Sequence, residues 1–264
     1  MTRGRPPRRG WRGGVGGLLL LAVSASGAPG AGPVPTPTVV WHPPTPRVGE
    51  VGWLEVRGVP AAAPLEGTLA GRPLRFFPHR DGQASLVAID AEATPGRQRW
   101  RLAIAGLPPR EGALTVAPRD FPVQRLSLPT AMVDLDPETE RRAAAEARRL
   151  RAVLGTVSPL RHWRGAFRRP VPGDDPGSGF GARRIINGQP RAPHTGLDFS
   201  ADAGTPVAAV NAGRVALVAE FFFAGRLVVV DHGLGLHSLY FHLDRVSAIE
   251  GQLVGGGDVL GTVG

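Results

Sequence analysis

The sequence predicts a mainly β protein, with an N-terminal immunoglobulin-like β-sandwich, a linking helix and a C-terminal antiparallel β-sheet domain. Short apolar runs bounded by turn residues recur over residues 48–128 and again over 171–264, a pattern typical of strands and hairpins. Between these regions, residues 136–154 are rich in Ala, Arg and Glu and have the signals of a helix. The length of 264 residues is compatible with one or two domains.

Residues 1–28 have the three-part plan of a secretory signal peptide. Five Arg precede an apolar stretch at 15–23, and small residues follow it, with cleavage expected after Ala25 or Ala28. The apolar stretch is shorter than the ~20 residues needed to span a bilayer. Arg8 and Arg9 leave a twin-arginine export route open beside the general one. We therefore expect a periplasmic or extracellular protein with no stable membrane span after signal cleavage.

The charge and composition exclude several classes of function. The net charge of +9 falls to +4 once the five Arg of the signal peptide are removed, so the charge does not indicate a nucleic-acid-binding protein. The absence of Cys excludes disulfides, thiolate zinc sites and cysteine nucleophiles. The sequence also has no Lys, which excludes Schiff-base lysines and Walker-type phosphate loops.

The region before the helix is predicted to be a Pro-rich extended linker over residues 29–47, followed by the β-sandwich over 48–128. Trp100, Leu102 and Ile104 alternate with Arg99 and Arg101, as in a half-buried strand. Short strands separated by turn signals at this spacing favour a sandwich. No cluster of His, Asp or Ser stands out there, so we expect a spacer or a module that positions the substrate.

Residues 129–170 are predicted to be a helical linker. Asp136 is suited to cap the helix and Pro137 to occupy its first position. The narrow apolar stripe near Leu154 predicts that the helix lies along another surface. The basic, aromatic stretch 161–169 has two interpretations: it contacts an anionic polymer such as cell wall, or it is a linker whose Trp163 and Phe167 are anchored in a neighbouring surface. The second is favoured.

The C-terminal region, residues 171–264, is predicted to form a small antiparallel sheet. The expected strands cover residues 207–210, 214–218, 227–230 and 236–243, and the β pattern continues over 253–260. Asp231, His232 and Gly233 are interpreted as a turn.

His194 and Asp198 are the candidate metal ligands, since imidazole nitrogen and carboxylate oxygen both bind zinc. On a straight strand, residues four apart lie ~13 Å from each other. One ion can therefore reach both only if the chain bends, and Gly196 between them permits a bend. The spacing is weak by itself, because His and Asp beside glycine are also common turn formers.

His242 is the candidate acid/base residue. Alternation along 236–243 predicts that Ser238, Tyr240 and His242 share one face of a strand, so that Tyr240 and His242 point into one site. Leu243 and His237 are expected on the opposite face.

Taken together, the segments resemble the lysostaphin-like (LytM-type) zinc metallopeptidases over nearly all of residues 175–264. The resemblance is carried by residues 180–198, which include His194-Thr195-Gly196-Leu197-Asp198, and by 204–209, 213–215, 230–235, 240–243 and 251–254. It implies an endopeptidase of cell-wall remodelling that binds Zn²⁺ and cuts peptide bonds in peptidoglycan peptides. It also implies that His194 and Asp198 bind the zinc and that His242 assists catalysis.

The sequence departs from that family at its end. A later His-x-His pair would supply the third zinc ligand and another catalytic His, but the sequence stops at Gly264. We therefore expect either a fragment of a longer protein or a truncated, inactive one. Two alternatives stay open: a non-catalytic module that binds cell wall or regulates other hydrolases on the same scaffold, and a lipoyl-type half-barrel, whose attachment chemistry the absence of Lys excludes.

Overall fold

The computed structural model describes Met1 and residues 36–130, 133–174 and 176–264. The predicted signal peptide lies, apart from Met1, outside the described residues. Pro37–Gly264 forms one compact unit, and the described chain forms seventeen β-strands and one α-helix. The mainly β class is therefore confirmed. Among the described residues, no helix is both long and apolar enough to cross a membrane.

The N-terminal part is a β-sandwich of two four-stranded sheets. The first sheet has the order β1 (Thr38–His42), β2 (Val51–Arg57), β6 (Gly82–Ala88) and β5 (Phe76–His79), and the second the order β4 (Arg72–Pro73), β3 (Leu65–Leu69), β7 (Gly96–Ile104) and β8 (Arg110–Val116). Leu54, Val56 and Leu102 are fully buried between the sheets. Strand β1 lies within the range predicted as an extended linker, because Val39 and Trp41 pack against this core.

Helix α1 (Pro137–Leu154) begins where the capping signals predict. The Asp136 side chain accepts hydrogen bonds from the backbone N–H groups of Glu138 and Thr139, which otherwise have no intrahelical partner. The apolar stripe at the C-terminal end of α1 packs against Phe221, Leu227 and other apolar residues of the C-terminal sheet. The helix therefore lies along another surface, as predicted.

The C-terminal sheet has six antiparallel strands. Their order is β12 (Pro206–Ala208), β17 (Val259–Val263), β15 (Leu236–Val246), β14 (Gly225–Gly233), β13 (Gly213–Phe221) and β16 (Leu253–Val254). Alternation along β14 sends Leu227 and Val229 toward α1, and Val228 and Val230 toward a second core on the other face. Both faces of the central strand are thus buried.

A third, small sheet joins the end of the sandwich to the segment that leads to His194. Strand β9 (Val123–Leu126) pairs in parallel with β10 (Arg183–Ile186), and β10 pairs with β11 (Gln189–Arg191). Asn187 extends this pairing, since its side-chain amide accepts from the Leu128 N–H at 2.9 Å and donates to the Leu128 carbonyl at 3.0 Å.

The basic stretch 161–169 is anchored between the sandwich and the C-terminal sheet. Trp163 is buried against Phe77 and Ala84 of the first sheet, and the Arg161 guanidinium lies 4.7 Å from the centre of the Phe77 ring. On the other side, the His162 N–H donates to the His232 carbonyl at 2.8 Å. Of the two interpretations, the anchored linker is confirmed for Trp163.

Candidate functional site

His194 and Asp198 meet because the chain bends at Gly196 and pairs with an upstream segment. The Gly181 N–H donates to the His194 carbonyl at 2.7 Å, and the His194 N–H donates to the Ala182 carbonyl at 2.9 Å. As a result, His194 Nε2 lies 3.3 Å from Asp198 Oδ1. The bend that the four-residue spacing requires is present. We call residues 178–198, from this upstream segment to Asp198, the His194 hairpin.

The two side-chain atoms are separated as two ligands of one zinc ion would be. Donors at ~2.1 Å from a tetrahedral ion lie about 3.4 Å apart, close to the 3.3 Å observed. The Asp198 side chain is 68% exposed and that of His194 only 13%, so the pair is open on one side. Over the described ranges, no group of three or more His, Cys, Asp or Glu is placed to hold a metal ion. The pair therefore fits zinc as a partial ligand set.

Gly179 makes room for the His194 imidazole. Its φ is +88°, and a Cβ added there would lie 2.5 Å from His194 Nδ1 and 3.4 Å from Asp198 Oδ2. A side chain at this position would therefore displace the imidazole. The sequence analysis did not identify Gly179, although the alternation Gly177-Ser178-Gly179-Phe180-Gly181 is a signal of close backbone approach.

His242 does not share a face with Tyr240, so this prediction is wrong. The register between β14 and β15 shifts: Val228 pairs with Tyr240 but Arg226 pairs with Leu243. Two residues of β15 thus stand opposite one of β14, which is a β-bulge. Tyr240 and Leu243 are both buried, and His242 is exposed.

The backbone of His242 adopts an unusual conformation at this bulge. Its φ is +57°, a region that residues other than glycine rarely adopt. Two hydrogen bonds hold it, since its N–H donates to the Ala224 carbonyl at 2.9 Å and its carbonyl accepts from the Gly264 N–H at 3.1 Å. Strained positions of this kind cluster at functional sites. In the described part of the chain, no hydrogen bond or ion pair links His242 to His194 or Asp198.

Tyr240 instead belongs to a buried polar network that also contains His232. The Val210 N–H donates to Tyr240 Oη at 2.8 Å, and Ser238 Oγ lies 2.9 Å from Tyr240 Oη and 2.8 Å from His232 Nε2. His232 Nδ1 lies 2.7 Å from the Ala212 carbonyl. The prediction of His232 as a turn residue is therefore wrong: it is a fully buried residue of β14, because its polar atoms find partners inside the sheet.

The tautomer of His232 follows from its partners. A carbonyl only accepts, so Nδ1 carries the proton, and in a neutral imidazole Nε2 then accepts from the Ser238 hydroxyl. Burial lowers the pKa of His232 from its ordinary value of 6.5, while the Ala212 hydrogen bond and the charge of Asp231 oppose this shift less strongly. The folded protein therefore holds His232 neutral.

This pKa shift predicts that the protein loses stability in acid. Below pH 6.5 the unfolded chain binds a proton at His232 that the folded protein does not, so the free energy of unfolding should fall as the pH decreases from about 6.5. The decrease continues until the pH passes the lowered pKa of the folded state. Urea titrations between pH 7.5 and 5 measure it, and in His232→Asn the slope of stability against pH in this window should be smaller. An equal slope in both proteins would contradict the prediction.

Comparison with known proteins supports the resemblance. Residues 192–264 match the family described as Peptidase family M23. The chain is 34% identical over 89 residues to the peptidoglycan DD-endopeptidase ShyB of Vibrio cholerae, covering 33% of this chain and 21% of that protein. It is 41% identical over 71 residues to the DD-carboxypeptidase/endopeptidase Mpg of Neisseria meningitidis, covering 27% of this chain and 16% of that protein. The chain thus spans about a fifth or less of the length of these relatives.

The likeness to a solved structure extends further along the chain. A crystal structure of a protein provisionally described as peptidase M23, from Pseudomonas aeruginosa, matches with a TM-score of 0.64 and 29% identity. The match covers 83% of each chain and therefore includes residues outside the family match. The motifs, the antiparallel sheet and these matches together place residues 192–264 in peptidase family M23.

Proposed function

We propose that this protein is a zinc-dependent endopeptidase of the cell envelope that hydrolyses peptide bonds of peptidoglycan. The observation that carries the proposal is the His194–Asp198 pair, whose 3.3 Å separation suits two ligands of one ion within a domain of family M23. Peptidoglycan as substrate is supported by the names of the relatives in Vibrio and Neisseria. Export is supported by the signal-like pattern of residues 1–28.

The roles of the chain's own residues follow from their positions. His194 and Asp198 would hold the zinc, and bound zinc supplies an acidified water and polarises the scissile carbonyl. The exposed carboxylate of Asp198 leaves that side of the pair accessible to a peptide. His242, exposed on its bulge, would accept or donate a proton or stabilise the developing oxyanion.

Zinc-dependent cleavage of purified peptidoglycan tests this function. We expect soluble peptide fragments to appear when sacculi are incubated with the zinc-loaded protein, and to be absent after treatment with a chelator. Addition of Zn²⁺ should restore cleavage, and mass spectrometry of the fragments identifies the bond. A zinc-loaded protein that releases no fragment would contradict the enzymatic proposal.

The same experiment decides on the non-catalytic alternative. One observation favours that alternative: the described residues supply two zinc ligands where catalytic sites have three. A regulatory or binding module would sediment with the sacculi in the presence of chelator as well as zinc, and would release nothing. Zinc-dependent release would exclude this alternative.

A further inference from the structure

Phe121 lies between the β-sandwich and the His194 hairpin. A Cβ added to Gly181 would overlap Cδ1 and Cε1 of the Phe121 ring, and one added to Gly49 would lie 2.8 Å from its Cζ. Gly49 precedes strand β2 of the sandwich, and Gly181 belongs to the hairpin. The ring thus fills the space between two glycines, one on each side, and it also contacts Phe180 edge-on at 6.2 Å between ring centres.

Gly181 is hydrogen-bonded to the main chain of His194. Its N–H donates to the His194 carbonyl at 2.7 Å, and the next residue, Ala182, accepts from the His194 N–H at 2.9 Å. A shift of Gly181 would therefore shift the backbone that carries the imidazole. Since Gly181 has a φ of +78° and no side chain, the Phe121 ring rests on its backbone directly.

The hairpin is held on the same side by main-chain pairing. Phe121 stands two residues before β9, which pairs in parallel with β10 from Arg183↔Val123 to Ile186↔Leu126. The Arg183 N–H also donates to the Pro122 carbonyl at 2.8 Å. The segment that leaves the sandwich thus contacts the hairpin by one aromatic ring and by a row of hydrogen bonds, and Phe121 is where the ring contact occurs.

We propose that Phe121 is a positioning residue, through which the β-sandwich fixes the His194–Asp198 pair in its ligating geometry. The proposal goes beyond the proposed function, and rests on it only in taking this pair as zinc ligands. The N-terminal region would then contribute to metal binding by positioning the ligands, without providing a ligand itself. Loosening the Phe121 contact should let the hairpin move and should weaken zinc binding without removing any ligand.

A matched pair of substitutions separates positioning from general loss of stability. Phe121→Leu and Phe121→Ala reduce the ring contact with the hairpin in two steps. Phe77→Leu and Phe77→Ala are the controls. Phe77 is also an aromatic residue between the sandwich and the C-terminal part, but it packs against Trp163 and Ala84, which lie outside the His194 hairpin. Melting temperature and circular dichroism identify any variant that fails to fold, and the Leu variants then carry the test.

The first measurement is hydrogen–deuterium exchange in the metal-free protein. We expect faster exchange of the amides of Gly181, His194 and Asp198 in the Phe121 variants, with the Leu variant between Ala and wild type. In the Phe77 variants these amides should exchange as in the wild type. Equal exchange in the two series, or a change in neither, would overturn the proposal whether or not the protein proves to be a peptidase.

The second measurement is zinc affinity, obtained by competition with a chromogenic chelator. The dissociation constant for Zn²⁺ should rise about tenfold in Phe121→Ala, in the range seen for groups that orient metal ligands, and should change less than twofold in the Phe77 variants. Unchanged affinity in Phe121→Ala would overturn the proposal. A wild-type protein that binds no zinc would overturn the proposed function instead, and the exchange measurement would still decide on positioning.

Discussion

Replacing His194 with Ala is expected to weaken zinc binding by roughly 100-fold or more and to abolish zinc-dependent cleavage. Structural zinc sites bind with ~10–16 kcal/mol, which is about 3 kcal/mol for each of four ligands, and 1.4 kcal/mol corresponds to a factor of ten. His194 presents Nε2 to Asp198 Oδ1 at 3.3 Å, so the remaining carboxylate would hold the ion alone. Isothermal titration with Zn²⁺ and release of fragments from sacculi measure the two effects.

The same substitution should leave the metal-free protein folded. Among the described residues, His194 Nδ1 has no hydrogen-bond partner, and a contact with an exposed carboxylate contributes little, so we expect a change in unfolding free energy of about 1 kcal/mol. His79→Ala in the sandwich serves as the control histidine. Zinc affinity close to that of the wild type in His194→Ala would show that the ion binds elsewhere.

Replacing Gly179 with Ala is expected to weaken zinc binding almost as much as replacing His194, although Gly179 provides no ligand. The new methyl group would lie 2.5 Å from His194 Nδ1, closer than any real contact, and the backbone would have to keep a φ of +88°. The imidazole must move, and with it Nε2. We expect zinc affinity to fall by roughly 10- to 100-fold, the effect of losing a group that orients a ligand.

Gly188→Ala is the matched control for Gly179→Ala. Gly188 has a φ of +78°, but no atom of the described residues lies within 4 Å of a Cβ added there. In both variants, holding alanine in the left-handed conformation should cost ~1–2 kcal/mol of unfolding free energy. Only Gly179→Ala should also displace His194. Equal zinc affinity in the two variants would show that the imidazole is not confined by this contact.

The sequence predicted those parts of the molecule that depend on local patterns. The helix follows from Asp136 and Pro137, and the sandwich core follows from alternation at residues such as Leu102. The meeting of His194 and Asp198 could be anticipated because a four-residue spacing with a central glycine allows a bend. These features are visible in the pattern of neighbouring residues, although the pairing of His194 with Gly181 and Ala182 also holds the bend.

The features that sequence reasoning missed depend on distant partners. Alternation placed His242 beside Tyr240, but the register shift between β14 and β15 moves it to solvent. His232 was interpreted as a turn residue because its partners are distant in the sequence: Ala212 directly precedes β13, and Ser238 lies on β15. Phe121 carries no chemical signal at all, and its role emerges only from the two glycines that face its ring.

The parallel pairing of β9 with β10 bears on whether the C-terminal domain can be transplanted into another protein. Arg183 pairs with Val123, so strand β10 of the His194 hairpin is completed by residues that precede helix α1 in the chain. A gene fusion that starts at residue 171 would keep every residue of the family match and leave β10 with unpaired N–H and C=O groups, which favour aggregation. The sandwich and the C-terminal domain occupy separate stretches of the sequence, but they share the pairing of β9 with β10. Recombination within helix α1 would therefore separate β10 from β9.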